Sequence, residues 1–590
     1  MIATLAATLT VCSASLLIGQ AAVALCGCRH WSWLSPAIGL ALVSAICWGT
    51  VRLPGDGLVS AIAVLLAAAA SLAYLARGGG EWDGEWRLGL PVALAALLAA
   101  SLPFFAEGHF GILGTGFNPD MSQHLLAGDR LAGGHGSELL SQGYPLGPHA
   151  IVVALNKGLG IGLVQGFDGL TVAVAVLAPL TALAAFHGER PLPRIAAALV
   201  TGLTYMVASY FAQGAFKETM QALFVLAFVI SLREVARSPD WRRAPLRFVP
   251  AALIAVGSVY AYSYPGLVWL IGAAVIWVGI ELLLGRPPAI GPGALRAGLL
   301  ALLAFVVLIA PEVGRMVEFH NFETFDPNGP GLGNLFGQVS PAEALGIWPS
   351  GDFRLTPGDG AVPALGYYLG ACFAGILFLY GTILCWSRRE FAVLSGVVAV
   401  IAIYIAARVG GTPYTAAKAI VVASPVLALA ILIPLVRRPA GWLYLLAAGG
   451  CALLALANAP VGPSSYSPAL TGLRPAIAEG STLYLASDRL LDEEHGERYV
   501  VWELRGGRVC VGRISEAGGR PPQGLRFVIA ERGSVEDATG RGDESVVPPP
   551  FAGLRLRQVA GPYVLWEVAT PPRDEGPCPL IAVRQARAAR

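Results

Sequence analysis

Apolar runs of about 18 to 25 residues recur along the chain between residues 2 and 458, and each is long enough to cross a bilayer as a helix. Beyond residue 462 the sequence becomes polar and contains short β-branched and aromatic runs. The pattern predicts a polytopic α-helical membrane protein with about 14 transmembrane helices. The predicted spans lie near residues 2–27, 32–52, 57–77, 88–105, 168–187, 194–214, 217–236, 248–264, 266–284, 295–313, 364–386, 390–407, 415–436 and 441–458.

These spans define a transmembrane domain over residues 1–461, with two long polar segments at 106–167 and 314–363. Loops longer than about 15 residues are uncommon in compact proteins and are usually functional. Residues 462–590 form a second predicted domain, either α/β or mainly β. Its predicted strands begin at Thr482, Tyr499, Arg508, Arg526 and Tyr563, and a helix is predicted over 488–497.

Composition and charge agree with a membrane protein and suggest its orientation. Of 590 residues, 55% are hydrophobic and only 13% are charged, whereas soluble proteins carry about 25% charged residues. One set of alternate loops, which includes residues 233–247, holds twice as many basic residues as the other, and short cytoplasmic loops are enriched in such residues. We therefore expect a multi-pass plasma-membrane protein whose long segments and C-terminal domain are extracytoplasmic.

The first long segment contains a candidate catalytic carboxylate. Asn118 is a typical helix cap and Pro119 suits the first helical position, so Asp120 lies in the first turn. Free N–H groups there favour an ionised carboxylate, which can accept a proton from an attacking hydroxyl. His124 follows one turn later and can share a proton or a divalent cation with Asp120. A solvated Asp120 that only serves the helix cap fits the residue types equally well.

Three cations lie at the predicted outer ends of spans. They are Lys217, Arg315 and Lys418, and Tyr414 shares a helical face with Lys418. Such a group can hold a lipid phosphate, although each residue alone is more often a side chain that snorkels to the headgroups. All three lysines of the chain fall on this side of the predicted membrane domain, which favours a shared site. Glu218 is an acidic counterpart at the same depth.

Several aromatic and imidazole side chains are further candidates. Tyr144 and His149 belong to the run Tyr-Pro-Leu-Gly-Pro-His, which can form the floor of a site or simply a turn that reverses the chain. Trp348, in the second long segment, is a candidate for the acceptor region. The run Tyr260–Pro265 can line a cavity, but an interfacial aromatic belt is its more common role.

The nine cysteines show no metal-ligand spacing. Cys510 and Cys578 are the only two in the polar C-terminal region, and an extracytoplasmic location would allow them to form a disulfide. No cofactor is assigned. A divalent cation is the one candidate, with Asp120 and His124 as its available ligands.

The stretch Asp120-Met-Ser-Gln-His124, together with Tyr144-Pro-Leu-Gly-Pro-His149, resembles the Asp-plus-Tyr-Pro-Gly-His pattern in first outer loops of the GT-C superfamily. These membrane glycosyltransferases use polyprenyl-phosphate sugars. The layout over residues 88–458 is similar to that of actinobacterial-type cell-envelope enzymes, which implies an arabinosyl- or mannosyltransferase. Because Asp120 is not part of an Asp-X-Asp motif, the sequence leaves metal dependence open.

The resemblance implies an inverting-type transfer of a sugar from a polyprenyl-phosphate donor to a glycan, lipid or protein acceptor of the envelope. Asp120 would be the general base on the acceptor hydroxyl, and the cations would stabilise the leaving phosphate. Membrane lipid is an expected partner and nucleic acid is not. Two alternatives stay open: a transporter or flippase for a lipid-linked sugar, for which polar groups near the midplane are expected, and a non-catalytic envelope protein that presents its C-terminal domain.

Overall fold

A computed structural model describes residues 1–81, 84–118, 120–133, 138–284, 293–320, 331–360, 362–465, 467–478, 480–487, 496–522, 524–533, 535 and 548–569. The chain forms two compact units. The first comprises Met1–Phe117 and Arg130–Gly462, and the second comprises Asn118–Asp129 and Pro463–Arg590. The short segment around Asp120 therefore belongs to the same unit as the C-terminal domain.

Helices account for nearly all regular structure before residue 458, because apolar sequence in a bilayer must satisfy its backbone hydrogen bonds internally. In chain order they are α1 (Ile2–Leu25), α2 (Ser35–Thr50), α3 (Asp56–Tyr74), α4 (Gly89–Ala106), α5 (Asp120–Ala132), α6 (Glu138–Ser141), α7 (Gly147–Leu159), α8 (Leu163–Ala182), α9 (Pro191–Gly202), α10 (Tyr205–Ala212), α11 (Phe216–Arg237), α12 (Pro239–Arg243), α13 (Val249–Tyr262), α14 (Pro265–Leu283), α15 (Ala294–Ile309), α16 (Val313–His320), α17 (Ala364–Ser387), α18 (Phe391–Gly410), α19 (Pro413–Leu435) and α20 (Pro439–Ala457).

The predicted polytopic helical class is confirmed. Within the described residues, 11 helical segments are long and apolar enough to cross a membrane, and the bent pair α9–α10 brings the number to 12. The shorter apolar helices α2 and α13 occupy the two remaining predicted spans. Each predicted span thus coincides with an apolar helix. Helices α8, α11 and α19 are buried along most of their length and form the centre of the first unit.

The predicted span 194–214 is broken, because α9 and α10 meet at an angle of 51°. Thr204 lies at the break and caps α10, with its hydroxyl accepting a hydrogen bond from the Val207 N–H at 3.4 Å. The same hydroxyl lies 2.7 Å from the Ser424 hydroxyl in α19. A side chain that offers the backbone another partner competes with a continuous helix, and the contact with α19 holds the bend in place.

A two-stranded antiparallel ribbon lies within the first unit. Strand β1 (Ile112–Leu113) pairs with β2 (Val461–Gly462), so that Leu113 faces Val461. The ribbon ties the segment after α4 to the end of the chain's membrane part.

The second unit contains a five-stranded mixed sheet with the order β4-β3-β5-β7-β6. Strand β3 is parallel to β4 and β5, whereas β7 is antiparallel to β5 and β6. The strands are β3 (Ser481–Ala486), β4 (Arg508–Arg513), β5 (Phe527–Glu531), β6 (Leu554–Ala560) and β7 (Tyr563–Val568), and the helices are α21 (Pro468–Thr471), α22 (Arg474–Ile477) and α23 (Gly496–Glu503). The sequence predicts either an α/β or a mainly β domain, and this mixed sheet with its helices fits the first of the two.

Helix α23 corrects one of the predicted strands. The run from Tyr499 to Leu504 is rich in β-branched and aromatic residues, yet it is helical as far as Glu503. Val500 and Leu504 are one helical turn apart, and both are fully buried in the core on one face of the sheet. Tertiary packing therefore overrides the β-propensity of this run. Residues 488–495, most of the predicted helix 488–497, lie outside the described residues.

The structure describes one of the two cysteines in the predicted disulfide. Cys510, on β4, is disulfide-bonded. Cys578 lies outside the described residues, and the pairing of the two stays a prediction.

Candidate functional site

A cavity of about 190 Å³ lies in the first unit, where the ends of several central helices meet. Its lining comes from the loop before α7, the beginnings of α11, α14 and α19, and the ends of α13, α16 and α18. The lining residues are Tyr144, Pro145, Lys217, Tyr262, Pro265, Val268, Trp269, Phe319, Ile403, Ala407, Tyr414, Thr415, Lys418 and Ala419.

Both predicted phosphate-binding lysines line this cavity, and each lies over an aromatic ring. The Lys217 ammonium is 3.9 Å from the centre of the Tyr144 ring. The Lys418 ammonium is 4.2 Å from the centre of the Tyr414 ring, one turn earlier on α19. The negative face of an aromatic ring attracts a cation and orients it without neutralising its charge. The structure thus brings together four residues that the sequence proposed for the site.

An ion pair accompanies the lysines. Glu218 Oε1 lies 3.2 Å from Lys418 Nζ, and the two side chains are only 5% and 15% exposed. With Glu218 ionised and both lysines protonated, Lys217, Lys418 and Glu218 together carry a formal charge of +1. The group therefore favours an anionic ligand.

Most of the remaining lining is apolar. Pro265, Val268 and Trp269 come from α14, and Ile403 and Ala407 come from α18. Both helices are long and apolar enough to span a membrane. A cavity that combines cations, aromatic rings and aliphatic surface suits a ligand with an anionic head and a hydrocarbon chain.

Arg315, the third predicted cation, does not line the cavity in the part of the chain that the structure describes. Its guanidinium donates to the carbonyl of Leu140 at 3.0 Å and to that of Tyr144, and it lies 3.3 Å from Glu312. Gly143 has a positive φ of 68°, and an added Cβ there would collide with the Arg315 carbonyl. Arg315 therefore holds the loop that carries Tyr144, and the structure gives it a supporting position.

His149 and Trp348 also lie away from the lining. His149 is fully buried, and its ring packs edge-on against Phe167 and Phe216 at centroid distances of 5.4 and 5.7 Å. Burial lowers the pKa of His149 to about 3, and the positive charge of Arg315 adds to this effect. The imidazole is therefore neutral at physiological pH. Trp348 is buried against Tyr367, with ring centres 5.1 Å apart.

The aromatic run Tyr260–Pro265 extends from the end of α13 to the first residue of α14. Tyr262 and Pro265 line the cavity, as the alternative interpretation of this run expected. Tyr260 donates to the Leu308 carbonyl at 2.7 Å, and the Tyr264 hydroxyl lies 3.2 Å from His320 Nδ1. These contacts fix the run against neighbouring helices.

In the second long segment, residues that the sequence did not single out contact Phe117 and the cavity residue Tyr414. Asn334 donates to the Phe117 carbonyl at 2.8 Å, and the Arg354 guanidinium lies 4.0 Å from the centre of the Phe117 ring. Gly333 has a positive φ of 58°, and an added Cβ would overlap the ring of Tyr414. The Gly-rich sequence of this segment signals tight turns, but it does not reveal which partners they contact.

Asp120 and His124 belong to the second unit. Asp120 is the first residue of α5, and its N–H donates to Asn118 Oδ1 at 3.0 Å. Its Oδ1 lies 3.3 Å from Arg498 Nη1, and both side chains are 41% exposed. His124 is buried. Among the described residues, no group of three His, Cys, Asp or Glu side chains is arranged to hold a metal ion.

No family model and no curated protein matches this chain. Among solved structures, the cryo-electron microscopy structure of the arabinofuranosyltransferase AftD from mycobacteria matches it with a TM-score of 0.53 and 15% sequence identity. The chain shares its fold with AftD. The match covers 83% of this chain and 40% of the AftD chain. The predicted resemblance to a polytopic membrane glycosyltransferase is thereby confirmed for the fold.

Proposed function

We propose that the protein is a membrane glycosyltransferase that takes its sugar from a polyprenyl-phosphate donor. The observation that carries the proposal is the pair Lys217 and Lys418 in one cavity with otherwise largely apolar lining. In this proposal the lysines bind the donor phosphate, and the aliphatic surface of α14 and α18 accommodates the polyprenyl chain. The fold shared with an arabinofuranosyltransferase supports glycosyl transfer as the reaction.

The proposed reaction is a single displacement at the anomeric carbon. The acceptor oxygen forms a bond to that carbon while the bond to the phosphate oxygen breaks, and the phosphate keeps the electron pair. Lys217 and Lys418 stabilise the charge that develops on the leaving phosphate. Fixed donors of this kind typically contribute about 100- to 1,000-fold to a rate. The anomeric configuration is inverted in such a displacement.

Asp120 is the proposed general base that takes the proton of the acceptor hydroxyl. Support comes from its own surroundings in the second unit. The carboxylate stands at the first position of α5, with its Oδ1 3.3 Å from Arg498 Nη1. At 41% exposed, it is accessible to an acceptor such as an envelope glycan or lipid.

We further propose that the lysine cavity faces the extracytoplasmic side of the plasma membrane. Support comes from α11, which carries Lys217 in its first turn and Arg233 and Arg237 near its other end. Lys217 and Arg233 are 16 residues apart, which corresponds to about 24 Å along a helix. Both arginines bind Glu390 at the start of α18, at 2.8 and 2.9 Å. A basic cluster at the end opposite the cavity is what a cytoplasmic boundary requires.

The test is a transfer assay with the full chain in lipid nanodiscs, using radiolabelled polyprenyl-phosphate arabinose or mannose and a cell-envelope glycan acceptor. Lys217→Met and Lys418→Met should each reduce transfer at least tenfold, whereas Lys157→Met should not. Lys157 is the matched control because it is the remaining lysine, is exposed at the end of α7, and does not line the cavity among the described residues.

The same assay tests the base separately. Asp120→Asn keeps the shape of the side chain but removes its basicity, and it should abolish transfer while leaving donor binding intact. If Asp120→Asn still transfers sugar while the lysine variants lose transfer, Asp120 is not the base. The assignment of the lysines to the donor phosphate would then stand. Full activity in both lysine variants would overturn the donor assignment.

A further inference from the structure

Two acidic residues of α5 pair with two arginines at and just beyond α23 of the C-terminal domain, and all four residues belong to the second unit. Asp120 pairs with Arg498 at 3.3 Å, and Asp129 pairs with Arg505 at 3.5 Å. The acidic residues are nine positions apart and the arginines are seven positions apart, so the two segments run in the same direction. The C-terminal domain therefore holds the helix that begins with Asp120 at both of its ends.

The two pairs are not equivalent. Arg505 stacks on Trp502, with its guanidinium 3.7 Å from the ring centre, which gives this arginine a partner besides Asp129. Arg498 points to the first turn of α5. It contacts Asp120 Oδ1, and in the amide orientation that satisfies its hydrogen bonds, the Gln123 side-chain oxygen accepts from Arg498 at 3.0 Å.

We propose that Arg498 is a positioning residue for Asp120, so that the C-terminal domain supplies part of the machinery that activates the acceptor. The inference rests on the proposed role of Asp120 as base. Arg498 holds the carboxylate in one orientation. Gln123 holds the guanidinium in turn, one turn along α5.

The exposure of the pair determines how the effect can be observed. Both side chains are 41% exposed, and ion pairs of this kind contribute little to folding stability. Loss of Arg498 should therefore affect turnover far more than thermal stability. It should also leave the donor KM unchanged, because the proposed donor phosphate site consists of other residues.

The experiment compares Arg498→Met, Arg498→Lys and Asp129→Asn with the wild-type full chain in nanodiscs, by kcat, donor KM and melting temperature. Arg498→Met should lower kcat about tenfold at an unchanged donor KM, a modest part of the 10²- to 10⁴-fold that a positioned base contributes. Arg498→Lys should recover part of the loss, because lysine supplies the charge without the planar fork. Asp129→Asn removes the other ion pair and should retain wild-type kcat within about twofold, as expected for a weak surface pair.

Wild-type kcat in Arg498→Met would overturn the proposal. An equal loss of kcat in Asp129→Asn would also overturn it. The loss would then come from weaker packing of α5 on the C-terminal domain and not from the position of Asp120. If Arg498→Met does not fold, the kcat values of Arg498→Lys and Arg498→Gln test the proposal instead, because both variants keep a polar side chain at this position. Asp120→Asn in the same series distinguishes failure of this proposal from failure of the proposed function. Activity in Asp120→Asn would show that Asp120 is not the general base.

Discussion

The Lys217 ammonium lies over the face of the Tyr144 ring, 3.9 Å from its centre. The contact joins the first turn of α11 to the loop that precedes α7, across 73 positions of sequence. Tyr144 is itself held through its carbonyl by Arg315. The loop is therefore part of the cavity, and its aromatic ring orients one of the two cations that the proposed donor phosphate requires.

Tyr144→Leu should weaken donor binding, whereas Tyr144→Phe should not. Phenylalanine keeps the ring face beneath Lys217, and leucine removes it. A cation–π contact at a partly exposed site is worth about 0.5–1 kcal/mol, so Tyr144→Leu should raise the donor KM roughly two- to fivefold. Steady-state kinetics on the two variants measures the difference. Equal KM values for Leu and Phe would show that the ring does not orient Lys217.

Glu218→Gln should make the protein less stable and its cavity more attractive to anions. The change removes the negative charge that lies 3.2 Å from Lys418 Nζ. A hydrogen bond between charged groups contributes about 1.5–3 kcal/mol, and part of this should be lost from the free energy of unfolding. Inhibition by polyprenyl pyrophosphate, which carries more charge than the donor phosphate, should strengthen. Weaker inhibition together with unchanged stability would contradict this account of the ion pair.

The membrane architecture could be predicted from the sequence because the length of an apolar run determines whether a helix can cross a bilayer. The break between α9 and α10 is a local exception. It depends on Thr204, whose hydroxyl caps α10 and meets Ser424, a residue 220 positions away. A threonine within an apolar run does not reveal that partner.

His149 should make the protein less stable in acid. Burial lowers the pKa of His149 to about 3, below its usual value of 6.5. Between these values the unfolded chain binds a proton that the folded chain excludes. Protonation of His149 therefore does not lower the free energy of unfolding above pH 6.5. Below pH 6.5 it lowers this free energy by about 1.4 kcal/mol per pH unit, until the pH approaches the folded-state pKa.

His149→Phe removes the titrating group and keeps an aromatic ring beside Phe167 and Phe216. Melting temperatures measured from pH 7 to pH 4 should therefore fall less steeply for this variant than for the wild type. His109→Phe is the control for the same substitution at an exposed position. Parallel slopes for wild type and His149→Phe would mean that the imidazole is protonated in the folded protein.

The orientation in the membrane can be tested by cysteine labelling in intact cells. The background is Cys372→Ala, which removes a free and exposed native cysteine. A membrane-impermeant maleimide should fail to label Arg243→Cys, in the basic cluster, and should label Arg557→Cys on the exposed strand β6. The opposite pattern would place the lysine cavity and the C-terminal domain on the cytoplasmic side.

The candidate site could be predicted only in part. Tyr414 and Lys418 are one turn apart, so the sequence alone places them on one face of α19. Arg498 had no comparable signal, because it lies 378 positions from Asp120 and stands beside it only through the fold of the second unit. Arg315 shows the converse. Its charge and predicted depth suggested a phosphate ligand, and nothing in the sequence indicated that its guanidinium donates to two loop carbonyls.

The most direct test of the central claim is equilibrium binding of polyprenyl phosphate and of the corresponding polyprenol to the protein in nanodiscs. The two lipids differ only in the phosphate, so their ratio of affinities isolates what Lys217 and Lys418 contribute. The wild type and Lys157→Met should prefer the phosphate at least tenfold, and the double variant Lys217→Met/Lys418→Met should bind both lipids about equally. A preference for the phosphate that survives in the double variant would contradict the assignment of this cavity as the donor site.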